Sequence, residues 1–188
     1  MNQILHWDIT IFLFLNKTIS NPLFDLIFPW ITDLHKTATF NLIAYPLFLG
    51  LFIGKFQLKN GLKLFVGLIL CLAVNDFIWN YGLKETVQRA RPGDNPALHA
   101  VVRSPYAGYS FPSNHAANMF ALATYSAVFL SGSAIFLFPI AALVGFSRIY
   151  NGVHFPIDVL CGALLGSLMG LIWVFVIKKY LTKGRVQQ

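Results

Sequence analysis

Three short polar clusters interrupt an otherwise apolar chain. KETVQRARP carries Lys84 and Arg91, PSNH carries Ser113, Asn114 and His115, and SRIYNGVHFPID carries Arg148, His154 and Asp158. A lysine and two arginines brought together repel one another unless an anion lies between them. Arginine offers a planar fork to phosphate oxygens, and lysine a point charge. Ser113 is placed to cap a helix whose first turn holds Asn114 and His115. The free N–H groups and positive dipole end of such a turn favour an anion. Together these residues make a phosphate cradle.

The histidines add reactivity. Imidazole titrates near neutrality, so one ring can attack while another donates a proton. Pro156 suits the first turn of a helix, which puts Asp158 on the same side as His154, four residues away. A carboxylate at one ring nitrogen fixes the tautomer and stabilises the charged imidazole. His154 is therefore the expected nucleophile and His115 the expected general acid. The intermediate would be a phosphohistidine, cleaved by water. Lysine and arginine stabilise the charge on the transferred group, so neither a metal nor another cofactor is expected.

The elements that position these residues are membrane helices. Of 188 residues, 56% are hydrophobic and 11% charged, against about 25% charged in soluble proteins. A bilayer span needs roughly 20 mostly apolar residues, and such runs are expected at 37–55, 61–82, 113–131, 133–150 and 156–179. The short stretches 4–16 and 22–34, parted by NKTISNP, read as interfacial or re-entrant helices with Trp7 and Trp30 at headgroup depth. The competing reading joins them into one kinked span. The expected fold is all-α: one domain, 1–188, forming a polytopic bundle of five to six spans with N-terminal interfacial helices. The N-terminus lacks a basic region and a cleavage site and carries Asp8 among its apolar residues, so insertion without cleavage is expected. The net charge of +7 follows from flanking lysines and the central basic cluster, not from nucleic-acid binding. Cys71 and Cys161 read as buried free thiols.

Counting spans brings all three clusters to one membrane surface. Lys55, Lys59, Lys63, Lys178, Lys179, Lys183 and Arg185 fall on the other, which the positive-inside rule makes cytoplasmic. The segment 83–112 is long and polar, and a long loop in a compact domain is commonly functional. Within it, Arg89 reads as a headgroup contact. Arg103, with Tyr106 and Tyr109, reads equally as a substrate contact or a solvated loop charge. Asp76, an acid inside a span, reads as part of a buried polar network bracing the basic cluster. Gly162, Gly166 and Gly170 step by four from Asp158 and form a small-residue stripe for close helix packing.

Lys84-x6-Arg91-Pro92, then Pro112-Ser113-Asn114-His115, then Ser147-Arg148-x5-His154-x3-Asp158 resembles the type 2 phosphatidic acid phosphatase superfamily. The resemblance implies a helical transmembrane core of six or slightly fewer spans. It also implies metal-independent hydrolysis of a lipid phosphate and the roles of His154, Asp158 and His115 given above. Asn114 stands where the family usually has glycine. Asparagine tolerates unusual backbone angles and retains its N–H, so the cradle is expected to survive with a side-chain amide beside the phosphate. The expected partners are the bilayer and a lipid-phosphate substrate: phosphatidylglycerol phosphate, phosphatidic acid, undecaprenyl diphosphate or the 1-phosphate of lipid A. No nucleic acid or protein partner is expected. The expected location is a bacterial inner membrane, with the site facing the periplasm or exterior. The alternative is a non-catalytic lipid-phosphate binder or flippase, which has no need of a His–Asp pair opposite a second histidine. Vanadate-dependent haloperoxidase chemistry, found on soluble members of the superfamily, is disfavoured by the apolar spans.

Overall fold

The structure, a computed structural model, describes residues 3–183. Arg185, counted above on the cytoplasmic face, lies outside the described residues. The helices are α1 (Gln3–Leu13), α2 (Pro22–Asp33), α3 (Ala38–Ile78), α4 (Lys84–Val87), α5 (Asn114–Phe129), α6 (Ala134–Tyr150) and α7 (Pro156–Lys183). No strand occurs among the described residues.

α3 is a hairpin of two arms. Gln57 leaves helical geometry at φ 63° and ψ 169°, and the chain reverses there. A Cβ on Gly61 would lie 2.6 Å from the Ile53 Cα. In an unbroken helix, residues eight apart are separated by about 12 Å. The arms, 38–56 and 58–78, match the first two expected spans.

By length and apolarity, the helical stretches able to cross a membrane are Ala38–Asp94, which the reversal divides, and Pro156–Leu181. α5 and α6, at 16 and 17 residues, are shorter than their expected spans and about 24 and 26 Å long. Pro112 and Ser113 delay the start of α5, and the turn after it passes through Gly132 at φ 81°. The stretches Gln3–Thr18 and Pro22–Lys36 meet the test only as a pair, bent by 115°. They are two short helices with a sharp corner, and Trp7 and Trp30 are both exposed.

α5 is the hub and packs most extensively on α7. The glycine stripe makes this possible. A Cβ on Gly162 would lie 2.5 Å from the Ser113 carbonyl oxygen, and one on Gly170 would lie 2.9 Å from that of Ala121. A Cβ on Gly166 would run into the Ala117 carbonyl. Leu160, Leu164 and Leu168 also step by four but are exposed. α7 thus presents glycine to the bundle and leucine outward, the pattern of a helix whose solvent is lipid.

Two apolar clusters hold the ends. Phe52, Leu64, Leu68, Tyr125, Phe129, Val174 and Ile177 lie away from the polar motifs, where the Tyr125 hydroxyl donates to the Leu64 carbonyl at 2.9 Å. Phe12, Ala116, Ile149, Phe155 and Val159 tie α1 beneath the polar motifs. Cys71 is buried, whereas Cys161, expected to be buried, is partly exposed.

Candidate active site

The polar motifs stand where three connections meet. Lys84 opens α4 just beyond the second arm of α3, Ser113–His115 open α5, and Arg148 and His154 flank the turn from α6 to α7. Lys84, Arg91, Arg148 and His154 are all buried. Lys84 feels the charges of Arg91, Arg148, Asp76 and Asp158. His115 feels that of Arg148.

His154 Nδ1 lies 3.7 Å from Asp158 Oδ2, close enough for ion pairing but longer than a hydrogen bond. Its Nε2 lies 3.3 Å from Arg91 Nη1. Guanidinium has no lone pair and only donates, so Nε2 is the acceptor and the proton belongs on Nδ1, facing the carboxylate. Nε2 then carries the ring's free lone pair. Burial, followed by the charges of Arg91, Arg148 and Lys84, pushes the His154 imidazole well below its usual pKa. The ring is neutral at neutral pH.

Arg91 is pinned in place. Its Nε donates to the Gly108 carbonyl at 2.8 Å, Nη1 to Val153 at 2.8 Å, and Nη2 to Ala107 and Tyr109 at 3.0 Å each. One arginine thus fastens the long loop to the α6–α7 turn and still faces His154 Nε2. Arg148 donates through Nη1 to Thr32 Oγ1 at 2.7 Å. Its Nε is buried without a hydrogen-bond partner, as are Ser113 Oγ, His115 Nε2 and His154 Nδ1. Buried polar atoms are rarely left unmade, and a phosphate has acceptor oxygens for the donors among them.

Some expected details differ. Ser113 occupies the N-cap position, but its hydroxyl makes no capping bond. Its N–H instead donates to the Asp158 carbonyl at 3.0 Å, joining the starts of α5 and α7. The Asn114 amide does not point free beside the cradle. It donates to Asp76 Oδ1 at 2.9 Å. Asp76 also accepts from Asn118 at 3.1 Å and Asn80 at 2.9 Å, the bracing network expected for it. Arg103 is not a solvated loop charge. It bonds Asp25 at 2.6 Å, Ser20 Oγ at 2.6 Å and the Asn16 and Tyr150 carbonyls at 3.0 and 2.9 Å. It clamps the loop to the N-terminal helices. Tyr106 donates to Asp94 at 2.9 Å beneath the Arg91 guanidinium, and Tyr109 contributes its carbonyl to Arg91.

Comparison with known proteins decides the family. A family model described as "PAP2 superfamily" matches residues 60–182, more than half of the chain. The chain belongs to the PAP2 superfamily. It is 34% identical over 156 residues to phosphatidylglycerophosphatase B of Bacillus subtilis, covering 75% of this chain and 72% of that protein. It is 30% identical over 142 residues to a lipid A 4'-phosphatase of Bacteroides thetaiotaomicron, covering 72% of this chain and 63% of that protein. The fold aligns with the crystal structure of a transmembrane PAP2-type phosphatidylglycerolphosphate phosphatase from Bacillus subtilis at TM-score 0.70 and 25% identity. That alignment covers 97% of this chain and 88% of the other. Aquifex aeolicus LpxE aligns at TM-score 0.63 and 30% identity, over 88% and 93% of the two chains.

The PAP2 motifs do not contain everything that touches the site. Arg89 does not face headgroups. It bridges two buried carboxylates at 2.5 Å each, Nη1 on Asp158 and Nη2 on Asp8, and lies 4.2 Å from the Phe155 ring centroid. Asp158 thus holds Arg89 with one oxygen, while the other accepts the Phe155 N–H at 2.8 Å. Asp8 also accepts the Ile157 N–H at 2.8 Å, tying α1 to the start of α7. The signal for Asp8 was its type: an acid in an apolar segment needs a partner. Thr32, in the last turn of α2, and His35, in the short turn that follows it, reach Arg148 and His115, and nothing in their spacing marked them.

Proposed function

We propose that the protein is an integral-membrane lipid phosphatase working through a phosphohistidine on His154, without a metal. The observation that carries this is the orientation of His154, with Nδ1 toward Asp158 and an unprotonated Nε2 toward Arg91. The phosphoryl group is held by Lys84, Arg91, Arg148, the Ser113 hydroxyl and the first N–H groups of α5, including that of Asn114. His154 Nε2 attacks phosphorus as the bond to the lipid oxygen breaks, and His115 protonates that oxygen. The imidazolium formed on His154 is stabilised by Asp158. Water then attacks phosphorus, loses its proton to His115, and releases inorganic phosphate, restoring His154. The cations supply the electrostatic stabilisation that metal ions give elsewhere.

The names of the relatives support a membrane lipid monophosphate or diphosphate as substrate. Phosphatidylglycerol phosphate and a lipid A phosphate are the first two to try, with phosphatidic acid and undecaprenyl diphosphate beside them. A cleft of about 330 Å³, lined by Trp30, Leu34, Thr37, Thr39, Phe40 and Ile43, begins one residue from His35. Its apolar lining suits a lipid chain, so in this reading the N-terminal corner shapes lipid access. We place five crossings in the bilayer: two α3 arms, α5, α6 and α7, with the bent α1–α2 pair at one face. Basic residues at the opposite ends support a site facing the periplasm or exterior of a bacterial inner membrane.

The test is phosphate release by the purified protein in detergent with EDTA, across this panel. Release from at least one lipid supports the proposal. Retained binding of lipid phosphate without release from any of them would overturn it in favour of a binder or flippase.

A further inference from the structure

The last turn of α2 lies outside the 60–182 stretch matched to the family, yet it closes over the catalytic groups. Thr32 is buried and takes the hydrogen bond of Arg148 on its hydroxyl at 2.7 Å. The Thr32 carbonyl faces His35 Nδ1 at 3.1 Å. A carbonyl only accepts, so the His35 proton belongs on Nδ1 and the ring is fixed in one tautomer and orientation. The fixed ring stands edge-on to His115, with centroids 5.0 Å apart and planes at 83°. That arrangement is favourable for aromatic rings.

His115 needs such a support. Its Nε2 is buried and bonded to nothing, so no hydrogen bond at that atom fixes the ring's rotation. A general acid works only with its proton aimed at the departing oxygen. His35 itself is solvent-exposed, so it forms the outer wall of the site rather than part of the packed core.

We propose that His35 is a positioning residue for the general-acid step: its ring, held by Thr32, sets the orientation in which His115 protonates the leaving lipid oxygen. This rests on the lipid phosphatase reading. The role is specific to leaving groups that need a proton. An alkyl phosphate expels a strongly basic alkoxide, whereas a nitrophenyl phosphate expels a stable anion unaided.

The experiment compares wild type, His35→Ala and His35→Phe on a lipid alkyl phosphate and on a nitrophenyl phosphate carrying an alkyl chain. Thermal melting in detergent is measured alongside. General acid catalysis contributes about 10²–10⁴-fold, and part of it is lost when the acid is misaimed. The expected result for His35→Ala is a kcat about tenfold or more lower on the alkyl phosphate and within about twofold on the aryl phosphate. The melting temperature should be unchanged. His35→Phe keeps a flat ring but loses the bond to the Thr32 carbonyl, so it should recover only part of the loss. In a His115→Ala background, His35→Ala should cost nothing further. Equal losses on both substrates, no loss on either, or full additivity with His115→Ala would overturn the proposal. Wild type that releases phosphate from neither substrate would instead overturn the phosphatase reading itself.

Discussion

Replacing Arg89 with leucine should damage stability and activity together, and the bridge to Asp8 and Asp158 allows the two to be separated. The Asp8 and Asp158 side chains are fully buried, and that of Arg89 is 20% exposed. Breaking a buried ion pair by removing one partner costs about 3–5 kcal/mol, because the remaining charge is left uncompensated. Arg89→Leu leaves two such charges, but the partial exposure of the site admits water, so about 3 kcal/mol is expected. Asp8→Asn still offers an oxygen to the Ile157 N–H and leaves Arg89 on Asp158, so about 1–2 kcal/mol is expected. The double variant leaves one carboxylate rather than two and should fall short of additivity by about 1–2 kcal/mol. Stability is read by unfolding in mixed micelles with increasing SDS. Activity behaves differently. In the proposed mechanism Arg89 holds one Asp158 oxygen and so fixes the carboxylate that faces His154 Nδ1; without Arg89 that carboxylate is free to turn away and supports the imidazolium poorly. Phosphate release should fall about a hundredfold in Arg89→Leu, and Asp8→Asn should not restore it. An Arg89→Leu protein within about 0.5 kcal/mol of wild type, or strict additivity, would refute the argument.

Further outcomes follow from single features. Gly166→Ala places a methyl group against the Ala117 carbonyl, and overpacking costs about 1–3 kcal/mol. Its SDS midpoint should drop more than that of Leu164→Ala, on the exposed face. The depressed pKa of His154 has a definite sign. Below about 6.5 the unfolded chain binds a proton that the folded protein refuses. This contribution to stability is therefore complete above that pH and is lost as pH falls toward the folded pKa, at about 1.4 kcal/mol per pH unit. His154→Asn should show a flatter acid limb than wild type in pH-dependent melting. Asp76→Ala leaves the amides of Asn114, Asn118 and Asn80 without their shared acceptor. About 2–3 kcal/mol of destabilisation is expected by SDS unfolding.

The parts legible in the sequence are those fixed by short-range pattern. Apolar runs located the helices, and motif residues at helix ends located Lys84, Arg91, His115, His154 and Asp158. The glycine stripe gave the α7 face because a four-residue step is itself a helix geometry. Asp76 was readable as a network member because an acid in a span must be satisfied. Long-range partners left weaker traces. Nothing near Arg89 in sequence shows that Asp8, 81 residues away, shares it with Asp158. Arg103 looked like a loop charge because its acceptors, the Asn16 and Tyr150 carbonyls, come from distant backbone. His35 and Thr32 were silent for a related reason. The 115° bend between the N-terminal helices folds the end of α2 over the site, and that angle has no local signature. The Asn114 amide was misplaced because two good acceptors, a phosphate and Asp76, were both within its reach.

The most direct measurement is rapid acid-free quenching of the wild-type enzyme during turnover of a labelled lipid phosphate, followed by peptide mapping of the protein-bound label. Phosphate bonded to nitrogen, labile to acid, stable to base and located on His154, is the expected result, with no trapped label in His154→Ala. Phosphate on His115 or another residue, or a pre-steady-state burst of lipid product from an enzyme that never carries label, would contradict a phosphohistidine mechanism on His154.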